Sequence, residues 1–194
     1  MNWIEFEQKL NKSRQAIFTP LDIMWLMDKS EVAVRFFLHR YTKKGVLICL
    51  KNGLYALKDK MPSEFEIANK LYSPSYVSFE YALSFYKVIS QTVYTVTSAA
   101  TKPTREFIVS DISYQYHKIK EELFFGYEPI KRDNTVILIA VPEKALVDYL
   151  YFVALKKKII DDRINLRRLN KKKIFYYADR FKKDSIIKIV KGLL

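Results

Sequence analysis

The chain has 194 residues, of which 49% are hydrophobic, so it can form one large domain or two small ones. Its formal net charge of +13 favours a polyanionic partner over plain solubility. With 4 glycines, 1 cysteine and 2 histidines, a glycine-rich phosphate loop, an internal disulfide and a zinc site are excluded. No signal peptide and no apolar run of about 18 residues is present, which predicts a cytoplasmic protein without a membrane partner.

The first two helices are indicated by spacing and by capping residues. Helical spacing places three apolar side chains on one face before residue 14: Trp3, Phe6 and Leu10. A second helix is predicted to start at Thr19, whose side chain can cap free backbone N–H groups. Pro20 suits its first turn, because the missing N–H donor would be unpaired there.

A third helix is predicted between Ser30, a favourable N-cap, and Gly45, a favourable end. Its core side carries apolar residues at helical spacing: Val34, Phe37, Leu38 and Tyr41. Its other side is polar and mostly basic: Glu31, Arg35, His39, Arg40 and Lys43. Phe36 lies off the apolar stripe, and we expect it to pack on the following hairpin or to contact a thymine methyl group.

A β-hairpin is predicted over residues 46–50 and 54–57, because Asn52-Gly53 is a strong turn signal. Cys49 lies in an apolar run and is expected to be a small buried residue. Three helices followed by a hairpin are typical of a winged helix-turn-helix, which we therefore predict as a DNA-binding domain over residues 1–60.

Residues 61–194 are predicted to form a C-terminal mixed α/β domain with an antiparallel-rich sheet and terminal helices, which makes the protein α+β. Helices are expected near residues 63–71 and 78–85, with a loop at 72–75 between them. Strands are expected over 92–97, 106–109, 112–117, 123–127 and 135–140. Further helices are expected over 145–155, 164–169, 174–181 and 186–190.

The polar side of the third helix and the hairpin tip supply candidate DNA contacts. Arg35 is the best base-reading candidate, because a guanidinium can hold guanine O6 and N7 with two hydrogen bonds. Glu31 either accepts a hydrogen bond from cytosine N4 or only caps the helix. His39, Arg40 and Lys43, further along the helix, are expected to contact phosphates. The other candidates are Lys29 and Ser30, just before the helix, and Lys51 and Asn52, at the hairpin turn.

Positive charge is concentrated at the C-terminal end. Residues 1–58 carry a net charge of +5, residues 59–154 carry −2, and residues 155–194 carry +10. This segregation indicates localised basic surfaces. Three roles are open for one group of basic residues: continuation of the DNA-binding surface, a solvated helical face, or contact with a protein. The group consists of Arg167, Arg168, Lys171, Lys172 and Lys173.

Catalytic residues, a metal and a cofactor are not expected. His117 lies in a different predicted domain from His39 and is expected to be structural. Glu143 and Asp148 are five residues apart and face different directions on a helix, which makes them poor acid–base partners. A nuclease whose hairpin only positions DNA is a rival hypothesis, but it would need a cluster of acids for a metal ion.

Four segments resemble the AbiEi-type antitoxins, the transcriptional-regulator half of bacterial abortive-infection toxin–antitoxin pairs of type IV. The similarity covers roughly Thr19 to Leu194 and is carried by residues 53–57, 67–71, 76–83 and 139–148. Its most specific parts are Ser78-Phe79-Glu80-Tyr81-Ala82-Leu83 and Pro142-Glu143-Lys144-Ala145-Leu146-Val147-Asp148.

The resemblance implies a repressor that binds inverted repeats in the double-stranded operator DNA of its own operon. It also implies that the C-terminal domain counteracts a nucleotidyltransferase-like toxin, for phage defence, without forming a stable complex with it. The alternative is a winged-helix regulator that has no toxin partner. The oligomeric state stays open.

Overall fold

The computed structural model describes residues 2–132, 135–161 and 164–194. They form two compact units, Met1–Leu71 (unit 1) and Tyr72–Leu194 (unit 2). The chain is mixed α+β, as expected, with a three-stranded sheet in unit 1 and a six-stranded sheet in unit 2 among the described residues. The structural units divide after Leu71, and the functional boundary at residue 60 stays a prediction.

Unit 1 contains helices and a hairpin in the predicted order. Its elements are α1 (Trp3–Ser13), β1 (Ile17–Phe18), α2 (Pro20–Met27), α3 (Glu31–Lys43), β2 (Leu47–Lys51), β3 (Leu54–Leu57) and α4 (Glu64–Leu71). Strand β1 was not predicted, because two residues show no alternation. It pairs antiparallel with β3, Ile17 opposite Ala56, and so extends the hairpin into a small sheet.

The predicted helix starts are confirmed by side-chain caps. The Thr19 hydroxyl accepts a hydrogen bond from the Asp22 N–H (3.2 Å), while the Asp22 carboxylate accepts one from the Thr19 N–H (2.7 Å). This reciprocal capping box fixes the start of α2. The Ser30 hydroxyl accepts from the Ala33 N–H (3.4 Å) and caps α3 in the same way.

The core of unit 1 is apolar and aromatic, and it lies between the three N-terminal helices and the hairpin. The predicted stripe of α3 is confirmed, because Val34, Phe37 and Leu38 are buried and Tyr41 packs at the edge of the core. The other buried members come from neighbouring elements: Phe6, Leu10, Phe18, Ile23, Met27, Leu47 and Leu57. Burial of these side chains fixes the orientation of α3 and turns its opposite side towards solvent.

The expected burial of Cys49 is wrong. Its thiol is exposed and donates to the Lys51 carbonyl oxygen (3.1 Å). The pairing of β2 with β3 shifts between Cys49 and Lys51. A bulge of this kind changes which side chains face inward, and Leu50 is buried in place of its neighbour.

Unit 2 has one α-helix among its described strands and ends in helices. Its elements are β4 (Ser75–Val77), α5 (Phe79–Phe85), β5 (Val96–Ala100), β6 (Arg105–Val109), β7 (Ile112–Lys118), β8 (Tyr127–Arg132), β9 (Thr135–Ala140), α6 (Pro142–Ala154), α7 (Lys171–Arg180) and α8 (Asp184–Leu193). The strand order in the sheet is β6-β7-β5-β4-β9-β8. Among these described strands, β4–β9 and β5–β7 are parallel pairs and the other three pairs are antiparallel.

Several predicted elements of unit 2 are wrong. The loop predicted over residues 72–75 is present at 72–74, but no strand was predicted at Ser75–Val77, where β4 lies buried at the centre of the sheet. The strand predicted at 92–97 lies at 96–100, and residues 123–127 mostly precede β8 instead of forming a strand. The helix predicted at 164–169 is only a short 3₁₀ turn, Leu166–Arg168, because Asn165 and Asn170 cap separate segments on either side of it.

Helix α6 is the central helix of unit 2. It packs against α5, α7, α8 and the end of β9. Its side chains are buried on almost every side, from Glu143 to Leu150. A helix buried all round must either be apolar or neutralise its polar groups internally.

Candidate nucleic-acid interface

The solvent side of α3 is a cationic surface. Arg35, His39, Arg40 and Lys43 are all exposed, on the side opposite the buried stripe. We call this surface, with Glu31, Val32 and Phe36, the outer face of α3. The buried side of α3 packs in the core of unit 1, so the backbone positions of the outer face are fixed relative to one another.

Arg35 is engaged by an acidic neighbour within the same helix. Its guanidinium donates to the Glu31 carboxylate (3.0 Å), and both side chains are exposed. Glu31 is therefore more than a helix-terminal acid, because it also balances the charge of the best base-reading candidate. An exposed pair at this spacing contributes at most a fraction of a kcal/mol, about 0.3–0.5, and exchanges readily for another partner.

An open groove of about 580 Å³ lies between the outer face and the hairpin. Arg35, His39 and Lys43 line one side of it, and Asn52 and Gly53 at the hairpin turn line the other. Gly53 has φ +78°, a conformation that favours glycine at a tight turn. Of the predicted contacts, the groove brings together Glu31, Arg35, His39, Lys43 and Asn52 but not Arg40 or Lys51. It also includes residues that the prediction missed: Pro20, Thr42, Cys49 and Tyr55.

Lys51 has a different environment from the one expected at a hairpin tip. Its ammonium group donates to the Leu71 carbonyl oxygen at the end of α4 (2.6 Å). A cation at a helix C-terminus is favourable, because it neutralises unpaired carbonyl groups there. Lys51 thus ties β2 to α4, whereas Asn52 is exposed beside the groove.

The residues at the start of α3 are exposed as well. Lys29 and Ser30 precede the helix, and Ser30 uses its hydroxyl as the N-cap. The expected packing of Phe36 on the hairpin is wrong, because 68% of its surface is exposed. The apolar stripe is already complete without Phe36, so the core leaves no place for its ring.

The other predicted basic residues lie in unit 2. Arg167 and Arg168 are exposed in the 3₁₀ turn, and Lys171, Lys172 and Lys173 are exposed in the first turn of α7. The Lys171 ammonium group reaches the Leu194 backbone oxygen (3.3 Å). Three cations at the positive end of a helix dipole are unfavourable for the helix itself, so this arrangement is not explained by helix stability.

The most specific sequence motifs form a buried polar network in unit 2. Lys144 and Asp148 are an ion pair one helical turn apart, and both side chains are fully buried. The Tyr76 and Ser78 hydroxyls donate to the second carboxylate oxygen (3.0 and 2.8 Å), and the Lys144 ammonium donates to the Tyr76 oxygen (2.8 Å). Burial lowers the pKa of Lys144 although Asp148 opposes that shift, and it raises the pKa of Tyr76.

This network was missed by sequence reasoning, which considered only acid–acid spacing. The available signal was a lysine followed four residues later by an aspartate within an apolar helix. Glu143 also has a structural partner, because its carboxylate accepts from the Asn170 N–H (2.9 Å) and joins α6 to the start of α7. Both motifs therefore contribute side chains to the interior of unit 2, where the network is closed off from solvent.

His117 packs edge-on against Phe79 and beside Phe152, with ring centroids 5.0 and 5.1 Å away. Burial, together with the nearby ammonium group of Lys158, lowers its pKa to about 4. The ring is therefore neutral at pH 7. Its Nε2 atom is buried and has no hydrogen-bond partner within the described residues.

Within the ranges 2–132, 135–161 and 164–194, no group of three or more His, Cys, Asp or Glu side chains is arranged to hold a metal ion. In the same ranges, no helix has the length and apolarity needed to cross a membrane. The chain matches no protein-family model, and a comparison with curated proteins finds no match.

Proposed function

We propose that unit 1 is a winged helix-turn-helix module that binds double-stranded DNA and that the protein is a transcriptional repressor of its own operon. The observation that carries this proposal is the outer face of α3, where four basic side chains are exposed beside a hairpin turn. The element order α1-β1-α2-α3-β2-β3 supports it too. In such modules the second helix of the motif enters the major groove.

The dimensions and chemistry of the outer face fit this role. The major groove is about 12 Å wide and admits an α-helix. Arg35 lies in the second turn of α3, near the end that approaches base edges. Arg40 and Lys43 lie further along and would contact phosphates, which fix the register without reading sequence. Asn52 at the hairpin turn would reach the flanking backbone.

A direct test measures binding of the full chain to a duplex from the region upstream of its own start codon. The wild-type protein should bind this duplex more tightly than an unrelated duplex of equal length. The variant Arg40→Gln/Lys43→Gln should bind both more weakly, and its salt slope of log affinity should fall by about 2, since each phosphate contact contributes about 0.9.

The matched control is Lys12→Gln/Arg14→Gln, which removes two exposed charges from the end of α1 in the same unit. Its salt slope should stay close to that of the wild type. An equal loss in both variants would mean that only net charge matters. No measurable binding of either duplex by the wild-type chain would contradict the proposal.

An antitoxin role is a further part of the proposal, and the resemblance described above supports it. The motifs that carry the resemblance, around Ser78 and Asp148, are buried in unit 2, so they support a shared fold more directly than a shared activity. Any contact with a toxin would use other surfaces of unit 2. The alternative, a regulator without a toxin, shares the DNA-binding step.

The genomic neighbourhood separates these alternatives. A nucleotidyltransferase-like gene directly downstream should arrest growth when expressed alone, and co-expression of this chain should restore growth. The variant Arg40→Gln/Lys43→Gln should still protect when the toxin is expressed from an unrelated promoter. Protection that disappears with this variant would mean that the antitoxin effect is repression alone.

A further inference from the structure

The outer face of α3 carries two exposed apolar side chains among its cations. Val32 is 64% exposed and Phe36 is 68% exposed. They are four residues apart, so they are neighbours on the same side of the helix. Arg35 and His39 lie beside them at helical spacing, and both are exposed. Single exposed apolar residues are common, but an adjacent valine and phenylalanine on a cationic helix call for a partner.

The surrounding charge indicates the chemistry of that partner. Protein–DNA interfaces are much more positively charged than protein–protein interfaces, and Val32 and Phe36 are bordered by three basic residues, Arg35, His39 and Arg40. A polyanion with apolar groups on its recognition surface satisfies both features. Duplex DNA has this combination in its major groove, where the 5-methyl group of thymine projects beside the phosphates.

We propose that Val32 and Phe36 read thymine by contact with its 5-methyl group, and that they give the protein part of its sequence specificity. This inference rests on the proposed function. Both residues lie in the first two turns of α3, the end of a recognition helix that approaches base edges. The two Cα atoms are separated by about 6 Å along the helix axis, at about 1.5 Å per residue. That rise corresponds to about two base-pair steps of about 3.4 Å.

Arg35 and the apolar pair have different roles on the outer face of α3. Arg35 lies between Val32 and Phe36 in sequence. On binding DNA, its guanidinium exchanges the Glu31 carboxylate for a guanine base. The apolar pair then distinguishes thymine from cytosine on either side, because cytosine lacks the methyl group. The preferred site should therefore contain a guanine with one or two thymines within about two base pairs of it.

The test uses duplexes selected by the full chain from a randomised library and resynthesised with deoxyuridine in place of single thymidines. Deoxyuridine keeps every hydrogen-bonding group and removes only the methyl. The wild-type protein should lose about fourfold in affinity at each contacted thymine, the effect expected for burial of one methyl group. Phe36→Ala and Val32→Ala should each become insensitive to deoxyuridine at one position while retaining the salt slope.

Trp25→Ala is the matched control, because Trp25 is 80% exposed on α2 and its loss also removes a large exposed ring. This variant should keep the full response to deoxyuridine. Circular dichroism and the melting temperature should be unchanged in all three variants, since the substituted side chains lie outside the core.

The outcomes separate this inference from the proposed function. Enrichment of a defined sequence that binds equally well with thymidine and deoxyuridine would overturn the role of Val32 and Phe36 and leave the DNA-binding function standing. No enrichment and no binding of any duplex would overturn both. A wild-type dimer that Phe36→Ala converts to a monomer, with unchanged response to deoxyuridine, would reassign the surface to self-association and overturn the inference.

Discussion

The ion pair between Glu31 and Arg35 lies on the outer face of α3, the surface that we propose binds DNA. Both side chains are exposed, and the guanidinium donates to the carboxylate at 3.0 Å. Such a pair is weak in water, so Arg35 can exchange its partner for a base at little cost. Glu31, by contrast, would repel phosphates that come close to it.

We expect Arg35→Ala to weaken binding to the selected duplex by about 1–3 kcal/mol and to relax preference at one base pair. Glu31→Gln should tighten binding to all duplexes at low salt, because a repulsive charge is removed. Fluorescence anisotropy with single-base variants of the duplex measures both effects. If Arg35→Ala leaves affinity and preference unchanged, Arg35 is not a base-reading residue.

The buried pair Lys144–Asp148 leads to a prediction about stability. Asp148→Asn or Lys144→Met leaves the remaining buried charge without its partner, which should cost about 3–5 kcal/mol of unfolding free energy. The double variant Lys144→Met/Asp148→Asn carries no charge at these two positions, and the asparagine oxygen can still accept from Tyr76 and Ser78. We expect it to be more stable than either single variant in urea unfolding. Additive losses would mean that the pair is not coupled.

His117 predicts a loss of stability in mild acid. Its pKa is lowered to about 4 in the folded protein, against about 6.5 in an unfolded chain. Above pH 6.5 both states are neutral and the residue has no effect. Between pH 6.5 and about 4 only the unfolded chain takes up the proton, so folding is progressively disfavoured. The melting temperature should fall across this window, and His117→Gln should reduce the fall; an unchanged pH profile in that variant would contradict the assignment.

At the scale of secondary structure, the elements with strong local signals were predicted and the others were not. Caps at Thr19 and Ser30, and the Asn52-Gly53 turn, set the bounds of α2, α3 and the hairpin through interactions close in sequence. Strand β4 was missed because its pairing with β5 and β9 involves residues far apart in the chain. Local pattern carries no information about such partners.

The same distinction applies to the candidate site. The basic side of α3 follows from helical periodicity, so its exposure was predicted. The contact of Lys51 with Leu71 depends on where α4 packs, and the exposure of Cys49 depends on a bulge. Neither depends on the local sequence alone. The Lys144–Asp148 pair was accessible from its spacing, but its partners Tyr76 and Ser78 lie in another part of the chain.

Gly126 gives a prediction for the packing of the segment before β8 against α7. It has φ +73°, and an added Cβ atom would lie 2.8 Å from the Tyr177 ring and 3.0 Å from the stem of Lys144. Both the backbone conformation and the close approach require glycine. Gly126→Ala should lower the unfolding free energy by about 2–3 kcal/mol, from overpacking and strain together.

Urea unfolding measures this effect. Gly192→Ala is the control, because a Cβ atom added at this helical residue would meet nothing within 4 Å beyond its chain neighbours and the backbone of its own helix. The substitution should be neutral or stabilising. Equal stability of the two variants would mean that the contact at Gly126 can relax.

At the scale of the whole molecule, charge is distributed unevenly along the chain. Residues 155–194 hold a net charge of +10, and a group of exposed lysines occupies the first turn of α7. Cations at this end of a helix oppose the helix dipole. A surface that is unfavourable for its own helix is better explained by a ligand of opposite charge.

Replacing Lys171, Lys172 and Lys173 with Gln in the full chain should lower the salt slope of DNA affinity by about 1–3, without a change in base preference. The melting temperature should stay the same or rise, because the unfavourable charges near the helix dipole are removed. The control replaces three exposed lysines elsewhere in unit 2: Lys118, Lys120 and Lys131. An unchanged slope in the first variant would assign the lysines of α7 to a role other than DNA binding.

The buried pair in α6 also constrains how this protein can change over evolutionary time. A lineage that replaces Lys144 first, or Asp148 first, passes through an intermediate with a lone buried charge or with unpaired hydroxyl groups. A loss of about 3–5 kcal/mol is a large part of the total stability of about 5–15 kcal/mol that is typical of a domain. Selection should remove most such intermediates. Positions 144 and 148 are therefore expected to vary together among descendants of a common ancestor, whereas the exposed residues Val32, Phe36 and Arg35 can change one at a time without such a loss of stability.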